Sequence, residues 1–394
     1  MMDACALLQQ ARDFSPWLQD LYHDFHRHPE TAHHEIETNR RIRAQLDRLA
    51  VSYLAPAQNM TIAVIDSGLP GPCVGLRCDT DALPVQEETG LSYASQHPGV
   101  MHACGHDAHI TIGLGAARLL KERLGEWRGR AKIIFQPAEE GENGADEVLA
   151  TGMVQDINAF FALHVWSPYP SGTIHLSPIT VAAAVDMFTI RITGPGGHGA
   201  TPEKCHDAVV AGAALVNALQ TAVSRGISPM EPAVLTIGSF HAGTAGNIIA
   251  QEAELRGTLR ALNDETAIRL RAMLEHITAS TAAAYGCTAK VEYHCMQSAV
   301  TNDVTLCQIA LERASQLVPK DHIGPQAPMM LGDDFSAYSR IAPACYAHVG
   351  IADEAKGTCA AHHNGNFRVD EDVLPLCAAW MAAVVDGFTK DKHK

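Results

Sequence analysis

Residues 131–142 read AKIIFQPAEEGE, a short apolar run followed by a segment, QPAEEGE, that contains three glutamates. The apolar run predicts a buried strand, because strands covered on both faces are nearly continuous in apolar residues. Similar runs, CVGLRC at 73–78 and AFFALHV at 159–165, predict further strands, and 108–124 has helical spacing that ends in Gly125. This alternation predicts an α/β domain with a largely parallel sheet, whose active site lies at the carboxyl ends of its strands.

A different pattern begins near Ala184. Strands and helices are predicted there in the order strand, helix, strand, strand, helix, strand, at 185–192, 207–223, 233–240, 248–262, 264–285 and 287–294. That order is typical of the ferredoxin-like α+β unit. The α/β pattern then resumes, with helices predicted at 303–317 and 370–388. We therefore predict a catalytic domain formed by 1–183 and 299–394, into which a small domain, 184–298, is inserted.

The bulk composition limits the class of protein. A chain of 394 residues exceeds the usual size of one hydrophobic core, so two domains are expected. The net charge of -15 disfavours nucleic acid as a partner. The 11 cysteines are scattered, and Cys73, Cys78 and Cys345 lie in apolar runs, which indicates free thiols in a reducing compartment. We find no signal peptide and no run of about 18 apolar residues, so no membrane span and a cytoplasmic location are expected.

The segment MHACGHDAH at 101–109 contains a Cys-x-His pair, Cys104 and His106. Two residues apart on an extended loop, both side chains can face one ion. Thiolate and imidazole are preferred ligands of zinc-like metals. The alternative is the start of a helix with an incidental histidine.

Glu139 and Glu140 lie in the segment QPAEEGE at 136–142, which directly follows the strand AKIIF. Two adjacent carboxylates at a strand end are costly to bury unless something cationic holds them. A metal does so, and one glutamate can bind the ion while its neighbour acts as general base on the attacking water. Taken alone, the motif fits a solvated acidic loop better than a metal site.

Two further histidines are weak candidates on their own. His164 closes the apolar strand at 159–165, where a core histidine is the usual explanation, and His363 lies in the polar turn AHHNGNF. The combination is more specific, because five candidate ligands can hold two ions if the thiolate bridges them: Cys104, His106, Glu140, His164 and His363. Glu139 is then left unligated, as a base should be.

Seven segments now identify a resemblance: LRCDTDALPVQE, MHACGHDAH, FQPAEEGENGA, GPGGHGATP, GNIIAQEAELRGTLR, GDDFSAY and HHNGNF. They occur in this order in bacterial and plant amidohydrolases, which include hippurate hydrolases, N-acyl-amino-acid deacylases and auxin-conjugate hydrolases. This group is part of the aminoacylase and carboxypeptidase G superfamily of metallopeptidases. The likeness extends from HRHPE at His26 to the final helix.

The resemblance implies a phosphorylase/hydrolase-like catalytic domain that binds two divalent ions, zinc or manganese, with cobalt or nickel as alternatives. It implies that Glu139 is the general base and proton shuttle. The inserted domain resembles a lid that also forms a homodimer interface, and His198 matches the lid histidine that reaches the substrate carbonyl. Asn247 and Arg260 match residues that hold the substrate, and Asp81 matches an acid that orients a metal ligand.

The expected reaction is hydrolysis of the amide bond of an N-acyl amino acid. Cleavage of dipeptides or N-carbamoyl amino acids remains an alternative, as does a catalytically inactive ligand-binding relative, although retention of Glu139 argues against the last. The sequence departs from the family pattern at Glu203, at Ala250 and at Asp333 and Asp334 of GDDF. We expect these positions on the lid or the pocket wall, where they leave the acyl group undecided.

Overall fold

The computed structural model describes residues 2–141 and 143–391, so Glu142 of the acidic motif lies outside the described residues. The α-helices are α1 Ala4–Asp13, α2 Ser15–Arg27, α3 Ile36–Arg48, α4 His106–Glu122, α5 Gly144–Ala150, α6 Ala208–Ser224, α7 Asp264–Ala284, α8 Val304–Ser315 and α9 Leu374–Asp391. The strands are β1 Ser52–Ala57, β2 Met60–Asp66, β3 Cys73–Asp79, β4 Arg130–Gln136, β5 Ala159–Pro170, β6 Ile174–His175, β7 Thr180–Ala182, β8 Ala184–Thr193, β9 Gly197–His198, β10 Ala233–Ala242, β11 Ile248–Ile249, β12 Glu252–Ala261, β13 Thr288–Gln297, β14 Val300–Thr301, β15 Ile323–Gly324 and β16 Ala344–Ala352. Short 3₁₀ helices lie at Pro202–Lys204, Lys320–His322, Asp334–Arg340 and Glu371–Val373.

The chain forms two compact units. The first consists of Met1–Ile179, Thr301–Ala327 and Asp334–Lys394, and the second of Thr180–Val300 and Pro328–Asp333. These limits differ by a few residues from the predicted 184 and 298. The return segment 328–333 joins the second unit because its backbone continues the pairing there, with Ala183 N donating to Leu331 O at 2.8 Å.

The first unit contains an eight-stranded sheet in the order β1-β2-β4-β3-β5-β16-β6-β15. Its four central strands, β4, β3, β5 and β16, are parallel. Strands β1 and β2 extend the sheet antiparallel at one side. The predicted α/β class with a mostly parallel sheet is confirmed.

Strand β5 is longer than predicted. The expected strand ended at Val165, but β5 continues to Pro170 because Gly350 and Ala352 of β16 pair with Trp166 and Pro170. His164 therefore lies within the strand and not at its end. This correction leaves His164 on the edge of the sheet where β3 and β4 also end.

Helix α9 belongs to the core of the first unit, where it packs against α4. The stretch 371–390 is long and apolar enough to cross a membrane, yet 94% of its apolar 18-residue window is buried inside the protein. Burial of this extent is what a core helix shows. The cysteines predicted to be buried thiols, Cys73, Cys78 and Cys345, are free and buried.

The second unit contains an antiparallel sheet in the order β10-β12-β8-β13, whose one face is covered by α6 and α7. This is the predicted ferredoxin-like arrangement. The single strand predicted at 248–262 is wrong, because Ile248 and Ile249 pair with β9 while β12 pairs with β8.

Candidate metal centre

Cys104 and His106 flank a turn that leads into α4. Gly105 between them has φ +89°, and a Cβ there would lie 2.5 Å from Val165 Cγ2. Glycine is therefore required for both the conformation and the space. The turn places both side chains, buried, beside His164, with the potential ligand atoms of the three residues within 4.8 Å of one another.

His164 presents one ring nitrogen to this cluster. Its Nδ1 donates to Val165 O at 2.6 Å, and its Nε2 lies 3.5 Å from Cys104 Sγ. Burial holds the pKa of His164 well below its usual value. The ring is therefore neutral, with a lone pair on Nε2, which is the form that binds metals.

Glu139 and Glu140 lie on the loop between β4 and α5, with side chains 12% and 14% exposed. Glu140 Oε1 lies 3.2 Å from His363 Nε2 and 4.0 Å from His106 Nε2, and Glu139 Oε2 lies 3.9 Å from His106 Nε2. Cys104, Glu140 and His363 form a second group of possible ligands. The two groups share Cys104.

The electrostatics of the cluster fit cations. Among the described residues, His106 Nε2 is a buried atom without a hydrogen-bond partner. Burial alone would lower the pKa of His106, but Asp79 and Asp81 outweigh it and raise the pKa to about 10. Burial, together with Glu140 and Glu139, raises the pKa of Cys104 well above its usual value. Excess negative charge is thus concentrated here, and the residues present fit divalent metal ions.

Asp81 has the contacts of an orienting carboxylate. Its Oδ1 lies 3.2 Å from His106 Nδ1, and its Oδ2 accepts a hydrogen bond from Glu140 N at 3.0 Å. It therefore fixes the ring of one candidate ligand and the backbone of another. Partners of this kind set the tautomer of a ligating histidine.

Two residues of the cluster were not anticipated from the sequence, Asp79 and His109. His109 Nδ1 lies 2.5 Å from Asp79 Oδ1, and His109 Nε2 accepts from Val165 N at 3.0 Å. Both ring nitrogens are engaged, so His109 supports the cluster instead of offering a lone pair. Its position three residues after His106 on a helix was the available signal, because residues i and i+3 share a face.

His362, the first residue of the double histidine, was also missed. Its Nε2 accepts from Ser167 N at 3.3 Å, which directs the protonated Nδ1 toward Cys104 Sγ at 3.8 Å. The ring stacks on Trp166 with centroids 4.6 Å apart. Burial lowers the pKa of His362 to about 3, so the ring is neutral.

Asp334 corrects one expectation. It is not on a pocket wall but is buried in the first unit, where it accepts from Arg77 Nη2, Gln136 Nε2 and Ala145 N at 2.8–2.9 Å. Asp333 belongs to the second unit. Asp334 therefore ties together the start and the end of the loop that carries Glu139.

The second unit holds the remaining predicted residues. His198 and Asn247 are exposed, lie together at the β9–β11 pair and line a cavity of about 620 Å³. Arg260 does not line that cavity. It is half-buried on β12, and its Nη1 donates to Met330 O at 2.7 Å.

Comparison with known proteins identifies the family. Residues 75–386 match the model of peptidase family M20/M25/M40. The chain belongs to this family. It is 36% identical over 371 residues to an N-acetylcysteine deacetylase of Bacillus subtilis, covering 94% of this chain and 96% of the relative. It is 33% identical over 386 residues to the IAA-amino acid hydrolase ILR1-like 4 of Arabidopsis thaliana, covering 97% and 88%.

The fold of this M20 protein resembles that of the YXEP protein of Bacillus subtilis, described as a dinuclear metal binding peptidase of the M20 family. The TM-score is 0.83 at 31% identity, covering 96% of this chain and 99% of that one. The predicted family resemblance is confirmed, and the protein is an M20-family metal-dependent amidohydrolase.

Proposed function

We propose that this M20 protein hydrolyses the amide bond of N-acyl amino acids and releases a carboxylic acid and a free amino acid. The observation that carries the proposal is the pair of three-residue ligand groups that share Cys104, with Glu139 beside them. A deacetylase of an N-acylated amino acid and a hydrolase of amino acid conjugates among its relatives support this substrate class.

In this proposal Cys104, His106 and His164 would hold one ion, and Cys104, Glu140 and His363 would hold the other. Bound divalent ions supply Lewis acidity and make water acidic enough to react near neutral pH. Zinc or manganese is our proposal for the metal, with cobalt or nickel as alternatives, because one thiolate among nitrogen and oxygen ligands suits all four.

Glu139 would carry out the proton transfers. Its carboxylate is partly buried beside both ligand groups, where it can accept a proton from the attacking water and pass it to the departing amine nitrogen. His198 of the second unit would donate to the carbonyl oxygen as negative charge develops there. Asn247 and Arg260 would hold the amino acid portion, and Asp81 would keep His106 oriented.

We also propose a cytoplasmic homodimer that associates through the second unit. On the face of its sheet opposite α6 and α7, the large apolar side chain of Met187 is 45% exposed. A groove of about 550 Å³ that Met187, Arg256 and His294 help to line lies on this unit. Exposed apolar surface of this kind suits a partner, and the acidic chain makes nucleic acid an unsuitable one.

Peptide cleavage is the second candidate, because the YXEP protein is described as a peptidase. The same ligand groups and the same base would serve a dipeptide or an N-carbamoyl amino acid. The choice depends on the pocket that receives the acyl group.

The test is a liquid-chromatography assay of metal-reconstituted protein on matched N-acyl amino acids, dipeptides and N-carbamoyl amino acids. We expect free amino acid to appear fastest from the N-acyl series. A higher kcat/KM on dipeptides would replace our proposal by the second candidate. Absence of turnover on every substrate by metal-loaded protein would indicate an inactive relative.

A further inference from the structure

The loop between β4 and α5, which carries Glu139 and Glu140, contains a strained turn. Ala138 has φ +53°, a left-handed conformation that residues with a Cβ adopt at an energetic cost. Its carbonyl accepts from Gly144 N at 3.0 Å, and a Cβ on Gly144 would lie 1.7 Å from Pro137 O. The turn is therefore tight, and something outside the loop must hold Ala138 in this conformation.

Glu35 provides that hold. Its carboxylate is fully buried, and its Oε1 accepts the backbone N–H of Ala138 at 2.8 Å, across 103 residues of sequence. Glu35 is the N-cap residue of α3, yet its side chain makes no capping hydrogen bond there. The carboxylate therefore binds the backbone of the loop and does not cap α3.

Burial of this carboxylate is unfavourable in itself. Burial, with a further contribution from Asp81, raises the pKa of Glu35 to about 7. Asn59 Nδ2 lies 3.5 Å from its second oxygen. The backbone amides of Ala138 and Glu35 and the side chain of Asn59 offset only part of the free-energy cost of burying this carboxylate.

The ends of the same loop are held by a different residue. Asp334 accepts from Gln136 Nε2 and from Ala145 N, which precede and follow the loop. Glu35 acts between these anchors, at the residue next to Glu139. Two buried carboxylates thus fix the loop at its ends and at its turn.

We propose that Glu35 is a positioning residue for Glu139: by accepting the Ala138 N–H, it holds the left-handed turn that aims the Glu139 carboxylate at the reacting water. The inference rests on the proposed role of Glu139 as general base. Small errors in the placement of a reacting group lower the rate steeply, so the effect should appear in kcat.

The test compares Glu35→Leu, which removes the acceptor, with Glu35→Gln, which keeps an acceptor oxygen. For Leu we expect kcat per bound metal to fall about 10- to 100-fold with little change in KM. For Gln we expect kcat within about threefold of wild type. Glu30→Leu is the matched control, because Glu30 also accepts a backbone N–H, that of Thr38 in α3, at 2.8 Å. It should change stability but not kcat.

The same variants are then made in a Glu139→Gln background. If Glu35 acts through Glu139, Glu35→Leu should lower kcat by less than about twofold there, because coupled residues are not additive. An equal loss in both backgrounds would overturn the inference, as would unchanged kcat in Glu35→Leu or an equal loss in Glu35→Gln.

The variants distinguish failure of the proposed base, Glu139, from failure of the proposed role of Glu35. Full turnover in Glu139→Gln alone would defeat the proposed base, whereas loss in that variant with none in Glu35→Leu would defeat only the role of Glu35. If Glu35→Leu does not fold, Glu35→Asp answers the same question, since it keeps the charge but withdraws the acceptor by one methylene. It should then show the reduced kcat, and wild-type kcat would contradict the proposal.

Discussion

The two units support their predicted functional residues in different ways. In the first unit, His106 is held by Asp81 and His164 by Val165 O, and both side chains are buried. In the second unit, His198 and Asn247 are exposed and Arg260 is half-buried. We therefore expect a preorganised centre for the proposed chemistry and a more adaptable surface for the proposed recognition of the substrate. Changes in the first unit should therefore have the larger effects.

The largest expected effect is that of metal removal. A chelator should abolish activity, and a divalent ion should restore it, because the ligand groups lose the cations that balance their charge. Activity is measured beside elemental analysis of the same sample. Full activity in protein shown to be metal-free would mean that the ligand groups of the first unit are not needed for the chemistry. The contrast between the two units would then have no functional meaning.

Substitution of the proposed base comes next. Glu139→Gln should lower kcat by about 10²- to 10⁴-fold with metal content nearly unchanged, since proton transfer typically contributes that much. Glu140→Gln should instead lower metal occupancy, measured by elemental analysis after dialysis. Interchanged results for the two variants would reverse our assignment of base and ligand.

The assignment of these residues from the sequence depended on local spacing. Cys104 and His106 are separated by one residue, and Glu139 and Glu140 follow a readable strand, so both pairs were identifiable before the fold was known. Most element positions were also predictable from apolar periodicity, which records burial directly.

The features that the sequence did not reveal depend on contacts between distant parts of the chain. The contact of Glu35 with Ala138 spans 103 residues, and that of Asp334 with Ala145 spans 189, so no local pattern marks either one. The break between β11 and β12 had the same origin, because adjacent residues pair with different strands. A periodicity cannot show which strand will be the partner.

The third prediction concerns charge buried in the first unit. His26 lies 2.6 Å from Asp107 and 3.3 Å from Glu87. Burial alone would lower the pKa of His26, but these two carboxylates outweigh it and raise the pKa to about 9. Because the folded pKa exceeds the unfolded one, the stabilisation is complete below pH 6.5 and is lost as the pH rises through about 9.

His26→Gln should accordingly lower the free energy of unfolding by about 3 kcal/mol at pH 6, since it leaves buried carboxylates without their cation. The difference from wild type should shrink by pH 9.5. Denaturant unfolding at both pH values measures it, with His276→Gln as an exposed control. A difference that does not depend on pH would show that packing, and not charge, is responsible.

The fourth prediction tests how far the rigid centre depends on Asp81. Asp81→Asn should weaken metal binding by about 10- to 100-fold, because residues that orient a ligating histidine contribute that much. Competition with a chelating dye measures the affinity. Unchanged affinity would mean that His106 is oriented by its surroundings without Asp81.

Substitution of Arg260 should give the smallest effect. It tests whether the second unit recognises the carboxylate of the substrate. A hydrogen bond between charged groups contributes roughly 1.5–3 kcal/mol. Because Arg260 is half-exposed and already donates to Met330 O, we expect the lower end, a fall of about tenfold in kcat/KM for Arg260→Ala. Arg225→Ala is the control, since Arg225 is an exposed arginine of the same unit that lines neither the cavity at His198 nor the groove at Met187.

The measurement compares wild type and Arg260→Ala on an N-acyl amino acid and on its neutral carboxamide. If Arg260 binds the carboxylate, the loss should occur on the acid and largely vanish on the amide, because only the acid offers a charged partner for the guanidinium. Equal losses on both substrates would assign Arg260 to holding segment 328–333 through Met330. Recognition of the carboxylate would then have to come from another residue, and the second unit would contribute shape and not charge to specificity.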